Sequence, residues 1–209
     1  MTQLSVALIC TLVTAAANWS TRLTPNQTLE TISKPLTTIL VIWVAIAADG
    51  PHSATVLAII GLLFCLAGDI ALMDVVDNFV AGLAFFLVGH LVFIAMAVAL
   101  HLRHPLWGIP AVVVLAVHVA VVGRRIVISA TLKDRSLQVP VTAYLLVITA
   151  MAVVAVTTGR WWAIAGAILF VVSDTILGWR AFVREKKWMA LVVMVTYHGA
   201  LVGLALSLR

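Results

Sequence analysis

Two apolar stretches, GLLFCLAGDIAL (61–72) and GAILFVVSDTIL (166–177), each hold one aspartate, Asp69 and Asp174, in sequence otherwise suited to hydrocarbon. Insertion of an aspartate at a helix centre costs roughly 2.5–3.5 kcal/mol, and such residues usually face a protein-lined cavity. Other polar groups accompany them. Ser173 precedes Asp174, a histidine follows each aspartate one apolar run later (His90 and His198), Tyr197 adjoins His198, and Lys34 opens a further run. Two carboxyl groups can divide acid and base roles. Histidine with aspartate can ligate zinc, and paired intramembrane carboxyls can relay protons in a transporter. At this level all three chemistries stay open. Several others are absent from the sequence: it has no Gly-rich phosphate loop, no His-Glu-x-x-His, no cysteine cluster and no lysine deep in a span. Ser173 belongs to no Ser-His-Asp order or nucleophile elbow, so it reads as a hydrogen-bond donor to a carboxylate or a substrate.

The elements that must position these groups are membrane helices. Of 209 residues 64% are hydrophobic and 10% charged, against roughly a quarter charged in soluble domains. Charge, Pro and Gly divide the chain into apolar runs near 3–19, 34–48, 54–76, 79–100, 106–122, 140–157, 161–183 and 188–208. The expectation is an all-α, polytopic bundle of eight transmembrane helices forming one domain over 1–209, each run approaching the roughly 20 residues a crossing needs. The first run lacks a positive leading segment and reads as a span rather than a secretory signal. Pro35 fits the first turn of the second helix. The aligned Gly, Asp and Leu positions of 61–72 and 166–177 suggest a weak internal repeat in parallel orientation. Gly61, Ala67, Gly68, Gly166 and Ala167 read as sites of close helix approach.

The formal charge of +5 does not point to nucleic acid, because the basic residues sit in short gaps between apolar runs. With eight spans, ten Lys and Arg residues fall on the odd-loop side and three (Arg103, Arg160 and Arg209) on the side of the termini. The positive-inside bias then makes the odd-loop side cytoplasmic and both termini external, as in a bacterial plasma membrane protein. At 1.5 Å rise per residue, Asp69 is expected about 10 Å from the cytoplasmic helix end, and Asp174 and Tyr197 about 13 Å, in one layer. His90 and His198 come slightly deeper, and Lys34 lies at the cytoplasmic mouth. Most tryptophans fall near predicted helix ends, as an interfacial belt requires. Cys10 and Cys65 lie inside apolar runs and read as small buried residues rather than a disulfide. Membrane lipids are the expected surroundings, and nothing in the sequence fixes an oligomeric state.

KPLTTIL (34–40), GLLFCLAGDIAL (61–72), GLAFFLVGHLVFI (82–94), GAILFVVSDTILGWRAF (166–182) and TYHGALVGLALS (196–207) together resemble the YhhN-like family of lysoplasmalogenases, in order and at suitable separation. The resemblance implies an integral membrane hydrolase that cleaves the vinyl ether of a lysophospholipid substrate, giving a fatty aldehyde and glycerophosphoethanolamine or glycerophosphocholine. It makes Asp69 and Asp174 the catalytic pair, and no cofactor and no metal are expected. Lys34 would bind phosphate, and His90, Ser173, Tyr197 and His198 would complete the substrate site. The family often carries Tyr-Tyr and a following Gln near its end, where this chain has Tyr197-His198 and Leu201. The alternatives from other classes are a zinc-dependent membrane lipid hydrolase and a proton-coupled small-molecule transporter.

Overall fold

The computed structural model describes residues 2–73 and 75–209, and among these it contains eight helices long and apolar enough to cross a membrane. They are α1 (Gln3–Ser20), α2 (Gln27–Ala47), α3 (His52–Ala71), α4 (Phe79–Ala99), α5 (Pro105–Lys133), α6 (Gln138–Thr157), α7 (Trp161–Phe182) and α8 (Lys187–Leu206). The protein is an all-α integral membrane bundle, as its hydropathy requires.

Three helix boundaries differ from the apolar runs. The second helix begins at Gln27, where the Asn26 side chain accepts from the Leu29 amide at 3.0 Å and caps it. Lys34 and Pro35 therefore lie inside α2, not at its start, so Pro35 withdraws one helical hydrogen bond beside Lys34. The third helix stops at Ala71 instead of near residue 76. The chain then turns back through Asp77, whose φ is 45°, and the Asn78 amide bonds the Ala71 carbonyl at 2.9 Å. The fifth helix runs on to Lys133 through a π-helical turn at Val119–Gly123, so Arg124 and Arg125 are helical rather than in a loop. Aromatic faces make this extension tolerable: the Arg125 guanidinium lies 5.0 Å from the Trp179 ring and the Lys133 ammonium 5.9 Å from that of Phe182.

The eighth helix is the axis of the bundle, packed on α7 and touching α1, α2 and α3. The tightest pairs are α3 with α4 and α7 with α8, the two pairs that carry the like-patterned stretches. Glycine makes both possible. A Cβ on Gly166 would stand 2.8 Å from the Leu204 amide nitrogen, and one on Gly61 would stand 2.5 Å from the Phe93 ring. By contrast α5 is peripheral, with few buried residues, and attaches mainly to α6.

At one end of the bundle the loops before α3 and α7 pack on residues 207–209. Arg160 donates to the Ser207 and Arg209 carbonyls at 2.9 and 3.0 Å, and Gly50 lies so close to Leu208 that any Cβ would strike it. The opposite end, formed by the turns after α1, α3, α5 and α7, carries most of the cations. Cys10 and Cys65 are free thiols.

Candidate active site

A cavity of about 190 Å³ opens at the cationic end, between α2, α3, α4, α7 and α8, and Asp69, Asp174, Lys34, Ser173 and Tyr197 all line it. Two aspartates remote in sequence thus border one chamber.

Asp69 ends only two residues from the C-terminus of α3, about 3 Å along the axis instead of the roughly 10 Å expected. It is nevertheless 1% exposed, because α2 and α8 wrap it. Its Oδ2 accepts hydrogen bonds from the Thr38 hydroxyl at 2.7 Å and the Tyr197 hydroxyl at 2.8 Å. The Lys34 ammonium lies 3.6 Å from Oδ1 and donates to the Asp69 backbone carbonyl at 3.2 Å. Lys34 is itself buried, seven residues into α2, so it stands beside the carboxylate and not at the mouth. A cation and two hydroxyl donors are the surroundings of a carboxylate that only accepts.

Asp174 has a different environment. Its Oδ2 accepts from the Tyr144 hydroxyl, and no cation pairs with it among the described residues. It also borders a second, almost wholly apolar slot between α4, α5, α6 and α7, lined by Leu83, Ile126, Val141, Tyr144 and Gly178 among others. Asp174, Phe86, Leu72 and Leu177 belong to both spaces, so Asp174 stands where polar and apolar volumes meet.

Ser173 borders the cavity, but its hydroxyl donates to the Val193 carbonyl at 3.1 Å, tying α7 to α8. The two histidines stand behind the wall and are not among the residues that line it. His90 uses Nδ1 on the Phe86 carbonyl at 2.6 Å, which obliges that nitrogen to be the donor, and its ring packs 5.4 Å from Tyr144 and 4.4 Å from Phe170. It therefore buttresses the tyrosine that holds Asp174. His198 accepts the Trp19 indole N–H at Nδ1 at 3.0 Å, so this half-buried tryptophan is a hydrogen-bond partner as well as an interfacial ring. The Nε2 atoms of both histidines are buried without partners. No group of three His, Cys, Asp or Glu side chains among the described residues converges as metal ligands would.

Thr38 and Tyr144 do not stand out in the sequence as site residues, and Arg22 and Arg180 count there only among the odd-loop cations. A signal existed for the first. Glu30, Lys34 and Thr38 recur at intervals of four, one polar stripe along α2. For Tyr144 the signal was only that tyrosine is rare, with two in the chain; the structure shows each donating to one of the two intramembrane aspartates.

The YhhN family model matches residues 29–208, from the start of α2 to the end of α8, which includes both aspartates, both tyrosines and Lys34. The chain belongs to the YhhN family. Lysoplasmalogenase TMEM86B of Sus scrofa is 50% identical over 42 residues, 20% of this chain. That match spans 19% of the pig protein's length. No solved structure matches the chain. Within this YhhN protein Arg22 lies outside the matched region, whereas Glu30 and Arg180 lie inside it.

Proposed function

We propose that this YhhN protein is a lysoplasmalogenase, hydrolysing the vinyl ether of a lysophospholipid to a fatty aldehyde and a glycerophospho-alcohol. The observation that carries the reading is the shared chamber of Asp69 and Asp174, with an apolar slot opening beside Asp174. A vinyl ether lies where a lipid's polar glycerol meets its hydrocarbon chain, and the protein has one carboxyl at the corresponding junction. The name of the Sus scrofa relative supports the same substrate class.

The unequal surroundings of the two carboxyls support different roles for them. Asp174, with a single phenol donor and apolar neighbours, gives its proton to the alkenyl carbon remote from oxygen, leaving an oxocarbenium ion. Asp69, fixed as an acceptor by Lys34, Thr38 and Tyr197, takes a proton from water as the water's oxygen bonds to the cationic carbon. The resulting hemiacetal collapses when Asp174 recovers a proton from its hydroxyl and Asp69 protonates the departing glycerol oxygen. Both carboxyls return to their starting states and one water has been consumed. Glycosidases divide labour between two carboxyls around a similar cation. Lys34, paired with Asp69, keeps that carboxylate an acceptor. Tyr144 and His90 position Asp174, while His198 and Ser173 fix the wall around Tyr197.

Purified protein in detergent, given lysoplasmalogen and its saturated-ether and ester analogues, should release free aldehyde from the vinyl ether alone. Aldehyde-free turnover of the ester, or no turnover of any of the three, overturns the proposal. Tyr144→Phe tests the placing of Asp174: kcat should drop about tenfold with KM unchanged, since the hydroxyl's hydrogen bond to the acid is lost while the ring that lines the apolar slot is kept. A KM increase with kcat intact would make Tyr144 a substrate contact instead.

We place the cavity mouth on the cytoplasmic side of a bacterial plasma membrane. Lys34 lies inside the bundle, but removing it from the count of loop cations leaves the excess at that end standing.

A further inference from the structure

The outer part of the polar cavity holds charges that the two-carboxyl chemistry does not use. Arg22 and Glu30 pair there at 2.5 Å across the start of α2, with side chains 17% and 20% exposed. Arg180 of α7 also lines the cavity, and Glu185 holds it through Nε at 2.8 Å and Nη2 at 2.7 Å. The Arg22 Nε is buried and has no hydrogen-bond partner. An N–H in that state is costly, and a bound anion would satisfy it. Lys34 is buried against Asp69, whereas Arg22 and Arg180 are the more exposed cations on the cavity wall, and their planar forks suit a phosphate.

Glu30 adds the opposite sign at the same mouth. The two aromatic rings on the cavity wall, Phe86 and Tyr197, belong to its inner end, where they pack edge to face at 5.8 Å and Tyr197 bonds Asp69. A quaternary ammonium is recognised by aromatic faces. A primary ammonium offers three N–H donors to a carboxylate.

We infer that the mouth is a phosphoethanolamine site: Arg22 and Arg180 take the phosphate, Glu30 takes the primary ammonium, and the internal Arg22–Glu30 pair is exchanged for pairs with the ligand. The inference rests on the hydrolase reading for the lipid's identity and not for its binding. Saturated 1-O-alkyl lysophosphatidylethanolamine and lysophosphatidylcholine of equal chain length are the probes, titrated into the full-length protein in detergent. The ethanolamine lipid should bind about tenfold tighter, the loss of one charge-assisted contact accounting for the difference. Glu30→Gln should bring it down to the choline value. Arg180→Gln, at a partly exposed position, should weaken both lipids by a similar factor, about tenfold. Equal or choline-favoured binding by wild type overturns the inference even if Glu30→Gln cannot be purified, and so does a preference that survives Glu30→Gln. These ligands lack the vinyl ether, so a protein that binds them selectively but releases no aldehyde from lysoplasmalogen would sink the hydrolase reading and leave the headgroup site intact.

Discussion

Asp174→Asn is expected to lower aldehyde release from lysoplasmalogen by roughly 10²–10⁴-fold, the range that a positioned general acid contributes. Asparagine keeps the shape of the side chain and can still meet the Tyr144 hydroxyl, but it has no proton to give to carbon. Asp69→Asn should fail by a similar factor for the complementary reason, since an amide oxygen cannot take a proton from water. Each variant should still bind the saturated-ether analogue, because neither substitution removes the apolar slot or the cations at the mouth. Rates of aldehyde appearance and analogue dissociation constants, measured on the same preparations, separate loss of chemistry from loss of binding. Wild-type turnover by both variants would remove the aspartates from the mechanism.

The second large effect concerns stability. Lys34→Met leaves Asp69 buried with its cationic partner gone, and breaking one side of a buried pair typically costs about 3–5 kcal/mol. Asp69 is 1% and Lys34 7% exposed, so water cannot readily replace the ammonium. The variant should unfold at markedly lower temperature or denaturant concentration in detergent. Adding Asp69→Asn to Lys34→Met should restore most of that stability, since the carboxylate that needed the ammonium is then absent, while aldehyde release stays at the level of the single aspartate variant. If Lys34→Met unfolds like wild type, the 3.6 Å contact does not hold Asp69 in place.

Hydropathy made the eight crossings legible, because each needs a long apolar run and the chain has little else. It could not show helix ends that run beyond the apolar stretch. The first two turns of α2 are polar and the last part of α5 is basic, yet both are helical because a cap at Asn26 and aromatic faces at Trp179 and Phe182 accommodate them. The reverse case displaced Asp69, whose apolar run continues past the point where α3 stops. The two aspartates were conspicuous because a carboxyl in hydrocarbon is costly. Their partners were less so: Lys34 and Thr38 reach Asp69 from α2, Tyr197 from α8, and Tyr144 reaches Asp174 from α6. Which helices lie side by side is set by glycine contacts such as Gly166 with Leu204, and spacing within a single helix does not encode them.

Asp174 sits on the border between a wet chamber and a greasy one. For the proposed reaction this border sorts what is made. The aldehyde is left on the oily side and can drain into the bilayer, while the glycerophospho-alcohol is left facing water. The two fragments are thereby parted by solubility, one to each side of Asp174.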